Sequence, residues 1–180
     1  LEADRKSPPD QRQLERLAHV MRGGEHLLKL IDDVLDLSRI EAGRITVSTE
    51  PVDVRSVIDE AVTTLGPMAS RAGVTIAVTT PAELPAVHAD RTRLAQILMN
   101  YGSNAIKYGK PGGHLTFAVQ QRDPTTIRIS AIDDGIGIPA DKQAKLYEPF
   151  QPAGQETGPI EGTGIGLTIT KRLAEMMKGR

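Results

Sequence analysis

From Leu14 onward the chain sets apolar or small residues at Leu14, Leu17, Met21, Gly24, Leu28, Ile31, Leu35 and Ser38, in unbroken steps of three and four. That period belongs to a helix, since a strand alternates every second residue. A second stripe, Leu27, Leu30, Val34 and Leu37, widens the apolar side. A seam of this length is the mark of a helix in a coiled coil or four-helix bundle, whose partner is another helix. Ser7-Pro8-Pro9 leads into Asp10, an N-cap residue, and Gly43 suits the left-handed C′ position that ends a helix.

Past Gly43 the period changes. Ile45-Thr46-Val47-Ser48 and Val52-Asp53-Val54 are short strand candidates, and 55–71 is helical with Val57, Ile58, Ala61, Val62 and Leu65 on one face. The run 74–78 is a strand, 81–85 a loop, and Asp90 caps the next helix. Its buried stripe is Leu94, Ile97, Leu98, Tyr101, Ala105 and Tyr108. The strand 115–119 pairs with 126–132 across the turn region that follows it. A short helix is expected over 142–150, with Leu146, Tyr147 and Phe150 in the core, then a Gly/Pro-rich loop over 151–161 and a last helix over 168–177. Strands interleaved with helices make this an α/β chain behind a long bundle-forming helix.

Three stretches carry chemistry. On the helix after Asp90, Gln96, Asn100, Asn104 and Lys107 project together opposite the apolar stripe. Asparagine is a poor helix former, so its presence there points to a site. An amide oxygen is a hard ligand suited to Mg²⁺, which bridges to phosphates, and Lys107 offers those phosphates a point charge. The second stretch, Asp133-Asp134-Gly135-Ile136-Gly137, follows a strand. A carboxylate there is a pure acceptor that fits the exocyclic amine of adenine, and Gly135 and Gly137 let the backbone approach a flat base. The third is Gly162-Thr163-Gly164-Ile165-Gly166-Leu167, a glycine-rich turn running into a helix and hence an anion site. A dinucleotide fold is excluded because a loop, not a strand, precedes these glycines. A P-loop is excluded because Gly109-Lys110-Pro111 lacks the Ser/Thr.

The 180 residues hold 22 basic and 23 acidic side chains, a net charge of −1 that argues against nucleic acid as a partner. The absence of cysteine removes disulfides and thiolate metal sites and fits a cytoplasmic setting. No apolar run reaches the ~18 residues of a membrane span, and with two Phe and no Trp the core must be aliphatic.

Asn100-x-x-x-Asn104 with Lys107, the run 133–137, Glu148-Pro149-Phe150 and 162–166 resemble, in order and spacing, the N, G1, F and G2 boxes of sensor histidine kinases. The stretch 30–43 is similar to the end of that family's second dimerization helix, so the resemblance covers nearly the whole chain. It implies a Bergerat-type two-layer α/β sandwich, a mixed sheet with helices on one face, shared with type II topoisomerases, a chaperone ATPase and mismatch-repair ATPases. On that basis 1–43 is the second helix of a dimerization hairpin and 44–180 the ATP-binding catalytic domain. Asp133 reads adenine, Asn104 ligates Mg²⁺, Asn100 and Lys107 support the phosphates, and Tyr108 lines the nucleotide. Residues 151–161 form the ATP lid, and Gly162, Thr163, Gly164, Gly166 and Leu167 form its hinge and phosphate cradle. The implied partners are a second copy, through the helical hairpin, and the receiver domain of a response regulator.

The sequence departs from the family in three ways. No H box surrounds His19, His26, His88 or His114, so the phosphoacceptor and the first dimerization helix are expected upstream of Leu1. The family's closing pair of strands is expected after Arg180, and any membrane contact of the parent protein lies outside this sequence. Residues 150–170 hold no Lys or Arg for the γ-phosphate, and Tyr101-Gly102 replaces two commonly aliphatic positions. The functions in contention are therefore kinase core, nucleotide-binding pseudokinase or scaffold, and an ATPase switch. Against the last stands Asn100, where hydrolysing relatives carry a glutamate base, because an amide cannot accept water's proton.

Overall fold

The computed structural model describes residues 10–150 and 163–180. Its first element, α1, is the helix Gln11–Glu41. Asp10 caps it reciprocally: its carboxylate accepts from the Gln13 backbone N–H at 2.7 Å, and the Gln13 side chain accepts from the Asp10 N–H at 2.9 Å. At the other end Gly43 takes φ +63°, and the Arg44 N–H reaches back to the Arg39 carbonyl at 2.8 Å. Both ends lie where the sequence places them; the Ser7-Pro8-Pro9 approach lies outside the described residues.

The predicted apolar seam faces outward, with Leu17, Met21 and Leu28 all more than half exposed. The covered side of α1 is instead His26, Leu30, Asp33, Leu37 and Ile40, again in steps of three and four but on the opposite face. Leu30 and Leu37 thus do not widen the seam. They turn away from it, and Leu37 joins a core with Ile97, Ile165, Ile169 and Leu173.

The remainder is a mixed α/β unit. β1 (Glu50–Val52) pairs antiparallel with β3 (Val87–Ala89), and the main sheet has the order β2 (Thr75–Thr79), β4 (His114–Asp123), β5 (Thr126–Asp133). β2 runs parallel to β4, and β4 pairs antiparallel with β5. Helices α2 (Val54–Ala72) and α3 (Arg91–Lys107) cover one face of that sheet, and α5 (Gly166–Met176) packs beside α3. The main core joins Val57, Ile58 and Leu65 of α2 to Leu94 and Leu98 of α3 and to Leu115 and Phe117 of β4. Phe117, one of the two phenylalanines, is fully buried beneath Gly102. A Cβ at Gly102 would collide with the Leu65 side chain and stand 3.0 Å from the Phe117 ring. The glycine that departs from the family pattern is what lets α3 settle on this ring.

Several sequence expectations shift. The segment 45–48 is not a strand: the Ser48 N–H bonds the Asp90 carboxylate at 3.1 Å instead of a neighbouring strand. Val54 opens α2 because Asp53 caps the Arg55 N–H at 3.0 Å. In place of a helix over 142–150 there is only the short α4 (Ala140–Gln143). Pro149 disfavours a helical residue before it, Phe150 has φ +63°, and Phe150 N–H bonds the Gly164 carbonyl at 3.1 Å. Leu146, Tyr147 and Phe150 are consequently not core, and Phe150 is 62% exposed. The last helix begins at Gly166, two residues before its expected start.

Candidate functional site

Between α3, the end of β5, the 138–147 segment and the start of α5 lies a cavity of about 690 Å³, a size that suits a nucleotide. One end is built from the strand terminus. Asp133 pairs in register with Leu115, whose side chain is fully buried, so it stands on the helix-facing side of the sheet. Its Oδ1 accepts from the Gly135 N–H at 2.9 Å, leaving Oδ2 as a further acceptor at the cavity. The adjacent Asp134 plays no part there. It accepts from the His114 N–H at 2.8 Å and lies 3.7 Å from Lys110 Nζ, and these contacts, the His114 backbone bond foremost, hold its carboxyl below the usual carboxylate range.

The two glycines of this end differ in their reasons. Gly137 has φ +69° and its Cβ would meet nothing, so conformation requires it. Gly135 has no left-handed φ. A Cβ there would strike the Tyr108 carbonyl, the same carbonyl that accepts from Ile136 N–H at 3.2 Å. That contact fastens the end of α3 to the loop after β5 and puts Tyr108 on the cavity wall.

The opposite end is the glycine turn. Gly164 has φ +67°, and a Cβ on Gly166 would collide with the Asn100 amide. Asn100 Nδ2 donates to Thr170 Oγ1 at 2.7 Å, clasping α3 to α5, while Thr168 Oγ1 donates to the Tyr147 carbonyl at 3.0 Å. Both threonine side chains are buried and thereby satisfied. Asn104, one turn along α3, lines the cavity and makes no side-chain hydrogen bond among the described residues. Lys107 lines it as well, and so do Thr163, Gly164, Gly166 and Leu167. Gly162 and the expected lid, 151–161, lie outside the described residues. Gln96, expected on this polar face, turns instead to α1 and donates to Asp36 at 3.1 Å.

A magnesium ion fits the donor set only in a particular way. Among the described residues no cluster of three or more His, Cys, Asp or Glu exists, so those residues offer no all-protein cage. What they offer is the uncommitted amide oxygen of Asn104 beside an anion-binding turn, which suits an ion sharing its shell with phosphates and water.

Some lining residues escaped the sequence. Tyr101 and Tyr147 meet at the cavity, and burial, with the hydrogen bond to Tyr147, pushes the Tyr101 hydroxyl up to about 12. Lys171 sits 5.3 Å from the Tyr147 ring centre. From α1 come His26, Lys29 and Asp33, the last accepting from Thr163 Oγ1 at 2.7 Å. Their signal was the run 26, 30, 33, 37, 40, hidden behind the stronger apolar seam.

Comparison with known proteins agrees with this geometry. Residues 89–180 match the family described as histidine kinase-, DNA gyrase B- and HSP90-like ATPase. The chain is 37% identical over 174 residues to the non-motile and phage-resistance protein of Caulobacter vibrioides, covering 94% of this chain and 20% of that protein. It is 35% identical over 176 residues to the circadian input-output histidine kinase CikA of Synechococcus elongatus, covering 96% and 23%. The crystal structure of full-length ShkA in complex with AMPPNP superposes with a TM-score of 0.78 at 30% identity, over 96% of this chain and 35% of that one. The chain therefore spans between a fifth and about a third of these relatives. It belongs to the histidine kinase-, DNA gyrase B- and HSP90-like ATPase family, as an ATP-binding catalytic domain of the sensor histidine kinase type.

Proposed function

We propose that this chain is the kinase core of a two-component histidine kinase, which moves the γ-phosphoryl of ATP to a histidine on a helix outside the sequence. The observation that carries the proposal is convergence. Asp133, Asn100, Asn104, Lys107 and the Gly164–Gly166 turn come from three separate stretches and line one cavity. In this reading Asp133 Oδ2 accepts the adenine amine, Tyr108, Gly135 and Gly137 flank the base, and Leu167 and Thr163 border the phosphates. Backbone N–H groups of the turn and the α5 N-terminus face the triphosphate, together with Lys107. Asn104 gives Mg²⁺ one oxygen, and the ion neutralises phosphate charge when bound.

Transfer requires positioning more than covalent work by the protein. A neutral imidazole nitrogen attacks the γ-phosphorus, the N–P bond forms as the bridging O–P bond breaks, and ADP leaves. Asn100 keeps the glycine turn against α3 through Thr170 and contributes no base. Asp33, the carboxylate that α1 brings to the cavity, is committed to Thr163. Of the described residues, Asn100 cannot and Asp33, held by Thr163, is not placed to take a proton from water, which supports a protein acceptor over the ATPase-switch function.

The exposed seam of α1, with Leu17 at 55% and Leu28 at 65%, supports its place as the second helix of a dimerization hairpin. Onward transfer to a response-regulator aspartate and a cytoplasmic location complete the reading; no described helix is long and apolar enough to cross a membrane. Titration of a fluorescent ATP analogue with and without Mg²⁺, followed by transfer to an added acceptor hairpin, tests it. Binding and transfer are expected. Magnesium-dependent binding without transfer would leave a pseudokinase or scaffold.

A further inference from the structure

The covered face of α1 reaches the cavity where the sequence left a charge problem. A triphosphate carries more negative charge than one lysine and one magnesium ion neutralise, and residues 150–170 contain no Lys or Arg. Among the described residues that line the cavity, the lysines are Lys107 and Lys29, and no arginine joins them.

The position of Lys29 along the cavity follows from its neighbours. Thr163 Oγ1 donates to Asp33 Oδ2 at 2.7 Å, pinning that turn of α1 against the glycine-rich end. Lys29 precedes Asp33 by four residues, so the two share a helix face, and both line the cavity. Gln96 donates to Asp36 at 3.1 Å, and Leu37 packs with Ile165 and Ile169, so the same stretch of α1 is held by polar and apolar contacts alike. Lys29 itself enters no ion pair among the described residues. Lys29 is thus an uncommitted cation at the cavity, one helical turn from the Asp33–Thr163 contact.

We propose that α1 completes the phosphate subsite, with Lys29 as its cation, so that nucleoside triphosphate is held jointly by the α/β unit and the helix. This rests on the ATP-binding function proposed above. It has a regulatory consequence: any movement that lifts α1 from Thr163 withdraws a phosphate ligand, so helix position and triphosphate affinity are coupled in both directions.

The test measures binding of ATP and adenosine, with Mg²⁺, to the full chain and its variants. Lys29→Gln is expected to weaken ATP about five- to tenfold, a charge-assisted contact discounted for exposure, and to leave adenosine within about twofold of wild type. Lys29→Arg should restore most of the ATP affinity. In an Asp33→Ala background, where α1 is unpinned, Lys29→Gln should cost less, since residues acting together are non-additive. Unchanged ATP affinity in Lys29→Gln, or an equal loss for adenosine, would overturn the assignment. If wild type binds adenosine but shows no gain for ATP, there is no phosphate subsite to complete, and the inference fails. If wild type binds neither, the parent reading fails first.

Discussion

Asn100 Nδ2 donates to Thr170 Oγ1 at 2.7 Å, so one amide on α3 decides where the glycine turn before α5 sits. Asn100→Ala strands the Thr170 hydroxyl, which is buried, and should cost about 1–3 kcal/mol. Thr170→Val added to Asn100→Ala removes the stranded group and should recover part of that loss. Urea denaturation of the four proteins in the cycle measures the coupling, and full additivity would show that the clasp does not stabilise.

Gly102 is the second packing test. Gly102→Ala should destabilise by about 1–3 kcal/mol because the methyl meets the Leu65 and Phe117 side chains. Phe117→Leu in the same chain opens space at the ring and should make the alanine less costly. Thermal melts of the single and double variants check this.

At the other end of the cavity, Asp133→Asn changes one atom with a predictable direction. The Gly135 N–H already requires an acceptor at 2.9 Å, so the new amide keeps its oxygen there and turns Nδ2 to the cavity. A donor would then face the adenine amine, weakening ATP by about 1–3 kcal/mol. Isothermal titration should show this loss, and equal affinities would remove Asp133 from adenine recognition.

The alkaline limb of stability has its own marker. The Tyr101 hydroxyl is raised from 10.0 to about 12 in the folded chain, so the unfolded chain loses this proton first. Its contribution is intact below pH ~10 and is lost as pH rises through about 12, because there the unfolded state binds fewer protons. Tyr101→Phe should flatten the fall in denaturation midpoint across that window relative to wild type.

Much of this was legible because local chemistry decided it. The Asp10 and Asp90 caps, the Gly43 stop and the β4–β5 pairing follow from residues within a turn or a hairpin of one another. The failures have other causes. The segment 45–48 is shaped by Asp90, a partner far along the chain that no local pattern reveals, while the stretch through Phe150 combines a distant partner, Gly164, with a local stop at Pro149 that the helical pattern overrode. Gln96 shares its helix face with Asn100, yet it reaches Asp36, because a long side chain can choose between neighbours. The contribution of α1 to the cavity was concealed for a similar reason: the partners of its covered face, Thr163 for Asp33, Gln96 for Asp36 and Ile165 for Leu37, lie far along the chain.

The most direct measurement supplies the chain with Mg²⁺ and γ-labelled ATP, together with a helical hairpin bearing a phosphoacceptor histidine. Label that is acid-labile and base-stable should accumulate on the hairpin and not on His19, His26, His88 or His114, while inorganic phosphate release stays slow. Rapid phosphate release with an unlabelled hairpin, or label on the chain's own histidines, would contradict the account.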